Sequence, residues 1–257
     1  MRFLSTRFFR VKPTAANAQP LPYRVGDISC TGLLFRPPGE PGSRPGILLL
    51  HGGAGLDAHA RRQGRRYADL GYVVFAADLY GDGVAGDRQR IMAQLTALRD
   101  DPELLAERGR SALAVLAGAS GPAGVHATIG FCFGGLAALT LARSGAALAG
   151  AVSVHGTLAA PAPATPAPAG PGSISARVLV CHGALDPHVP VAQVKRFATE
   201  MERAGADWQL NVYGGAEHGF THEGAAPGAG TGVSYHATAD ARSHADIRAF
   251  LADVLAV

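Results

Sequence analysis

One cysteine of this chain lies in the run Gly130-Phe131-Cys132-Phe133-Gly134-Gly135. Glycine, any residue, nucleophile, any residue, glycine is the spacing of a strand that turns sharply into a helix. Such a turn leaves the central side chain at its tip, and the helix start beneath it favours a thiolate and the oxyanion formed during attack. A cysteine among apolar neighbours also fits an inert core thiol. Two other residues weigh against that plainer reading. Asp186 stands in Gly183-Ala184-Leu185-Asp186-Pro187, and His218 stands in the glycine-rich run Gly214-Gly215-Ala216-Glu217-His218-Gly219. An imidazole near the sulfur can take its proton, and a carboxylate behind the ring fixes its tautomer. The run His51-Gly52-Gly53-Ala54-Gly55 adds backbone N–H groups, with Gly53 and Phe133 as the candidate oxyanion donors. Losing one such donor typically costs ~3 kcal/mol of transition-state stabilisation.

These residues need a scaffold that brings distant loops to one rim. Short apolar runs at 45–53, 72–81, 125–131, 148–156 and 176–183 read as strands buried on both faces. Two more strands are expected at 27–38 and 208–215. Helices are expected at 59–72, ending at Gly71, around Ile91, Leu95 and Leu98, and through Leu113 to Leu116, with Pro102 as a break. Others are expected at 134–144, 191–205 and 244–256. Strands alternating with helices imply a mostly parallel central sheet with helices on both faces, an α/β fold. In such sheets ligands bind past the C-terminal strand ends, where Gly53, Cys132, Asp186 and His218 all fall. The Ala/Pro-rich stretch 157–172 reads as a surface connection rather than a domain boundary, because the alternation resumes at once. The organisation is an N-terminal arm at 1–21 and one domain at 22–257.

The composition supports a single large core, with 47% hydrophobic and 17% charged residues in 257. A net charge of +3 without a long Lys/Arg run gives no nucleic-acid surface; Arg61-Arg62-Gln63-Gly64-Arg65-Arg66 reads as the wet face of a helix. No apolar run reaches the ~18 residues of a membrane span. Arg7 and Arg10 interrupt the apolar N-terminus, so no signal core forms and the cytoplasm is expected. Cys30, Cys132 and Cys181 are too few and scattered for a disulfide framework or a zinc centre, and Cys30 and Cys181 read as buried thiols.

The segments Arg44–Leu56, Gly71–Gly81, Ile129–Gly135, Val152–Gly156, Val178–Pro190 and Ala216–Phe220 together resemble the dienelactone hydrolase family, of the α/β-hydrolase superfamily. The order Cys132, Asp186, His218 matches that superfamily's nucleophile–acid–histidine order. The resemblance implies an α/β-hydrolase fold and hydrolysis of carboxylic esters or lactones through a cysteinyl thioester. The family's triad falls on Cys132, Asp186 and His218. The chain departs from the founding enzymes at three places. Gly52 stands where they carry a glutamate, Gly81 and Asp82 follow the Asp78-Leu79-Tyr80 strand end where they use an arginine, and His222 and Glu223 replace a second arginine. These departures point away from dienelactone itself.

Tyr80, His155 and Phe220 are expected to contact substrate, and His51 to orient the oxyanion loop. No metal set is visible, because the histidines fall on separate strand ends, and no cofactor is called for. The expected partner is a small ester or lactone, with neither nucleic acid nor membrane, for a monomer or homodimer. Other readings are an acyltransferase or general esterase with the same triad, or a non-catalytic scaffold whose Cys132 is a redox or ligand-binding thiol.

Overall fold

Along Gly46–Leu50 and Val73–Ala77 every residue is buried, and the two segments pair in parallel. Alternation sends their side chains to opposite faces. Leu48, Leu50 and Phe75 join the core on one side of the sheet, while Ile47, Leu49 and Val74 join the core on the other. These strands are β3 and β4 of a computed structural model that describes residues 18–37, 44–84, 86–121, 125–160, 171–226 and 232–255. The other strands are β1 (Ala18–Val25), β2 (Ile28–Phe35), β5 (His126–Phe131), β6 (Gly150–Val154), β7 (Arg177–Gly183) and β8 (Trp208–Tyr213). They form one eight-stranded sheet in the order β1-β2-β4-β3-β5-β6-β7-β8. The β1–β2 and β2–β4 pairings are antiparallel; the rest are parallel.

The helices are α1 (Ala58–Ala68), α2 (Arg88–Asp100), α3 (Pro102–Ser120), α4 (Phe133–Arg143), α5 (Val191–Ala204) and α6 (Ala237–Leu255). Residues of α3, α4 and α5, among them Leu116, Leu136 and Phe197, cover one face. Residues of α1 and α6, among them Tyr67 and Leu251, cover the other. The mostly parallel sheet with helices on both faces, expected from the strand–helix alternation, is the one observed. Among the described residues, no helix is long and apolar enough to cross a membrane.

Three local differences have physical causes. Pro102 does not merely end α2 but opens α3 at its first turn, where its missing N–H costs nothing. Asp101 caps that start, accepting from the Leu104 N–H at 3.0 Å. Helix α6 begins at Ala237, earlier than the apolar spacing indicates, because its first turns are small and polar. Strand β1 starts at Ala18, inside the segment read as an arm, and tolerates Pro20 and Pro22 because it is the sheet edge. The rest of the arm, and residues 161–170 of the Ala/Pro-rich connection, lie outside the described residues.

Candidate active site

Strand β5 ends at Phe131, Cys132 follows, and α4 begins at Phe133. Cys132 has φ of +54°, a conformation L-residues rarely adopt, so the turn is strained at the sulfur-bearing residue. Its N–H donates to the Val154 carbonyl at 3.0 Å and its carbonyl accepts from Gly135 at 2.9 Å, which holds the strain in place. The flanking glycines are steric necessities. A Cβ on Gly130 would collide with the Gly134 carbonyl, and one on Gly134 with the Leu50 carbonyl. Both obstacles are backbone, so no rotamer change relieves them. Gly130→Ala is therefore expected to cost about 3 kcal/mol or more of stability, or to prevent folding, read from the urea unfolding midpoint.

The loops after β7 and β8 bring the acid and the histidine to this turn. His218 Nε2 lies 3.1 Å from Cys132 Sγ, and His218 Nδ1 lies 2.9 Å from Asp186 Oδ2. The other oxygen, Oδ1, accepts from the His188 N–H at 2.8 Å. The His188 ring stands edge-on to His218 with centroids 5.1 Å apart. The loop bearing His218 is pinned by bonds of its own backbone to Gly232 (3.0 Å) and Ser234 (3.1 Å).

Electrostatically the sulfur and the ring each favour the charged form of the other. Burial pushes the Cys132 thiol up, but the His218 hydrogen bond and charge, then the N–H groups of Gly53 and Phe133, more than reverse this and leave it below its ordinary value. Burial pushes His218 down, yet its bonds to Asp186 and then Cys132 raise it to about 10. Burial likewise disfavours the Asp186 carboxylate, and the His218 bond, its charge and the His188 N–H outweigh it, so Asp186 stays ionised below the usual range. The same Gly53 and Phe133 N–H groups that lower the thiol face the Cys132 sulfur.

Behind this loop His51 is fully buried. Its Nε2 accepts from the Leu79 N–H at 3.2 Å, so its Nδ1–H donates to the Gly52 carbonyl at 2.7 Å. The Tyr80 hydroxyl donates to the Gly53 carbonyl at 2.9 Å.

The cavity over Cys132 holds about 230 Å³ and is lined by Leu95, Arg99, Phe133, Leu136, Thr157, His188 and His218. The three residues expected to contact substrate lie elsewhere. Tyr80 braces the Gly53 loop and lines a separate cleft with Leu33, Leu56 and Asp78. His155 is buried behind His218, its ring edge-on at 5.4 Å and its Nε2 2.9 Å from Thr221 Oγ1. Phe220 is wholly buried against His155 and Tyr213. Position past a strand end made these three candidates, but His155 and Phe220 turn into the core and Tyr80 turns to the Gly53 loop. Leu95 and Arg99 escaped sequence reading as cavity residues, although the spacing of Ile91, Leu95 and Leu98 marks their helix.

The model of the dienelactone hydrolase family matches residues 30–255. This chain belongs to that family. The dienelactone hydrolase family is one of hydrolases, and the solved structures agree with the assignment. The structure named m3DLH is 36% identical, with a TM-score of 0.85 over 94% of this chain and 99% of that one. A dienelactone hydrolase-like promiscuous phosphotriesterase from metagenomic libraries is 35% identical, with a TM-score of 0.85 over 93% of this chain and 99% of that one. A curated carboxymethylenebutenolidase-like protein of Methylorubrum extorquens is 29% identical over 192 residues, 71% of this chain. The match spans 65% of that relative's length.

Proposed function

We propose that this dienelactone hydrolase family member hydrolyses small carboxylic esters or lactones through an acyl-thioester on Cys132. The observation that carries the reading is the continuous contact from Asp186 through His218 to Cys132, at 2.9 and 3.1 Å. In the proposed cycle the Cys132 sulfur attacks the carbonyl carbon while His218 holds the sulfur's proton. The Gly53 and Phe133 N–H groups stabilise the oxyanion. As the tetrahedral species collapses, the C–O bond breaks and His218 gives its proton to the departing alkoxide. Water then attacks the thioester, His218 takes the water's proton, and the thiolate leaves with the acid. Thiolate is a better leaving group than an amide nitrogen, so esters with good leaving groups and lactones suit this site and amides do not.

The cavity walls from Leu95, Phe133 and Leu136 are apolar, which favours a modest hydrophobic acyl group. The departures at Gly52, Gly81 and His222 argue against dienelactone itself. All three cysteines are unpaired, which supports a reducing compartment such as the cytoplasm. A second reading, attack of the same thiolate on a neutral phosphotriester, is favoured by the 35% identity to the metagenomic phosphotriesterase.

The test is intact-mass measurement after brief exposure to p-nitrophenyl esters and to a lactone. The expected result is a single acyl addition that maps to Cys132 and decays as product appears. Turnover without any adduct at Cys132, under quenching at acid pH, would overturn the thioester route.

A further inference from the structure

Strand β6 ends at Val154, and residues 156–159 beyond it run past the cavity in no regular structure. Thr157 of this segment lines the cavity over Cys132. A segment without a ladder of its own must find partners elsewhere for its N–H and C=O groups. We propose that Gln193 and Arg143 are positioning residues that lock Thr157 into the cavity wall, and that Thr157 sets the length of acyl group the site accepts. The proposal rests on the reading of this cavity as the acyl pocket of an ester hydrolase.

One side-chain atom takes two successive N–H groups of the segment. Gln193 Oε1 accepts from the Leu158 N–H at 2.7 Å and from the Ala159 N–H at 3.1 Å. Two donors aimed at one atom require the amide oxygen there, so the orientation of the amide is fixed. The local sequence explains why this oxygen is free. Gln193 is the third residue of α5, the position from which a glutamine commonly reaches back to the N–H of the capping residue. The cap of α5 is Pro190, which has no N–H and makes no side-chain cap bond. The glutamine turns instead to the loop after β6.

Arg143 holds the other pole of the Leu158–Ala159 peptide. Its Nη2 donates to the Leu158 carbonyl at 2.8 Å. Its Nε and Nη2 also donate to Glu200 Oε1 and Oε2 at 2.7 and 2.8 Å, a bidentate pair. The Arg143 side chain is only 2% exposed, so leaving these partners would strand a charge away from water.

These contacts tie the segment to both ends of the nucleophile's helix. Arg143 is the last residue of α4, which starts directly after Cys132. At the other end, a Cβ on Gly156 would press on Gly135 Cα and the Cys132 carbonyl. Gly156 therefore sits on the start of α4 while Leu158, itself buried in the core, is bonded to its end. Thr157 is the half-buried residue between two anchored ones. It cannot withdraw without breaking the bonds to Gln193 and Arg143. The cavity of about 230 Å³ thus has a firm boundary at this point, and a firm boundary rejects an acyl chain that a yielding one would admit.

Two sets of probes read the wall. One is kcat/KM for p-nitrophenyl acetate, butyrate, hexanoate and octanoate. The other is the rate at which iodoacetamide and N-hexyliodoacetamide alkylate Cys132, which needs no turnover. Gln193→Leu is close in size to the glutamine and accepts neither N–H. It is expected to raise the octanoate-to-acetate ratio of kcat/KM by at least about fivefold, with acetate itself little changed. The hexyl-to-parent ratio of alkylation rates should move the same way. Gln193→Glu keeps an oxygen at the same reach and suits the first turn of a helix, so it should restore the wild-type ratios. Thr157→Phe thickens the wall and should move both ratios in the opposite direction, whether or not Gln193→Leu folds. A general loosening of the fold would slow every probe alike and would not be rescued by glutamate. Ratios unchanged in Gln193→Leu, or an equal effect on all probes, overturn the positioning role. Ratios unchanged in Thr157→Phe overturn the role of Thr157. If no ester is turned over, the thioester reading fails, and the alkylation ratio still decides whether the wall is held.

Discussion

Cys132→Ala is expected to lower turnover of a p-nitrophenyl ester by about 10⁴–10⁶-fold while leaving the fold intact. Members of a nucleophile–base–acid unit act together, so removing the nucleophile removes nearly all that the unit provides. What remains is the proposed oxyanion donors of Gly53 and Phe133 and the binding cavity, which should still favour the addition of water over reaction in bulk. Alanine relieves no steric conflict and fills no cavity, so a loss this large reports chemistry. Cys132→Ser provides the second arm. Its hydroxyl is a far weaker acid than a thiol beside His218, so it should also be crippled, though it keeps the shape of the turn. Steady-state rates for the three proteins on esters, a lactone and a neutral phosphotriester check this. Full activity in Cys132→Ala would remove Cys132 from the reaction and leave the scaffold or another nucleophile to explain the site.

Asp186→Asn is expected to reduce kcat/KM by about 10²–10⁴-fold, because Asn can present an N–H to Nδ1 and force the wrong tautomer on His218. It also has a signature in pH that a merely structural change lacks. The Asp186 bond is the largest influence raising His218, which now stays protonated to about 10. The imidazolium in turn lowers the Cys132 thiol. In the wild type the thiolate–imidazolium pair persists between these limits. It is lost as pH falls through the lowered thiol value, when sulfur gains a proton, and as pH rises past about 10, when the ring loses one. The two titrate as a pair. Without the carboxylate the ring holds its proton less firmly and the thiol is lowered less. The acid limb of iodoacetamide alkylation at Cys132 should therefore move to higher pH. A limb that stays in place would mean that Asp186 does not tune the pair.

The glycine contact at the elbow shows why part of the site is written locally. Gly130 is small because the backbone of Gly134 passes where its side chain would be, a need set by one strand and the helix that follows it, whereas Gly134 meets the Leu50 carbonyl of the neighbouring strand β3. The same holds for strands β3 to β7, whose continuous apolar runs can be buried on both faces in few other ways. Once the parallel order is implied, the loops after β5, β7 and β8 share one rim, so Cys132, Asp186 and His218 meet there.

What the tertiary structure alone decided is which way side chains turn from that rim and what stands opposite them. His155 and Phe220 occupy strand-end positions as plausible as that of His218, yet packing against Thr221, Tyr213 and the core turns them inward. Leu95 and Arg99 reach the cavity because α2 is laid over it, a placement made by contacts with α3 that no local spacing encodes. Gln193 meets Leu158 and Ala159 because α5 and the loop after β6 pack side by side. Periodicity and backbone sterics act between near neighbours and are legible in order along the chain; side-chain direction and cross-chain proximity are set by the whole packed core at once.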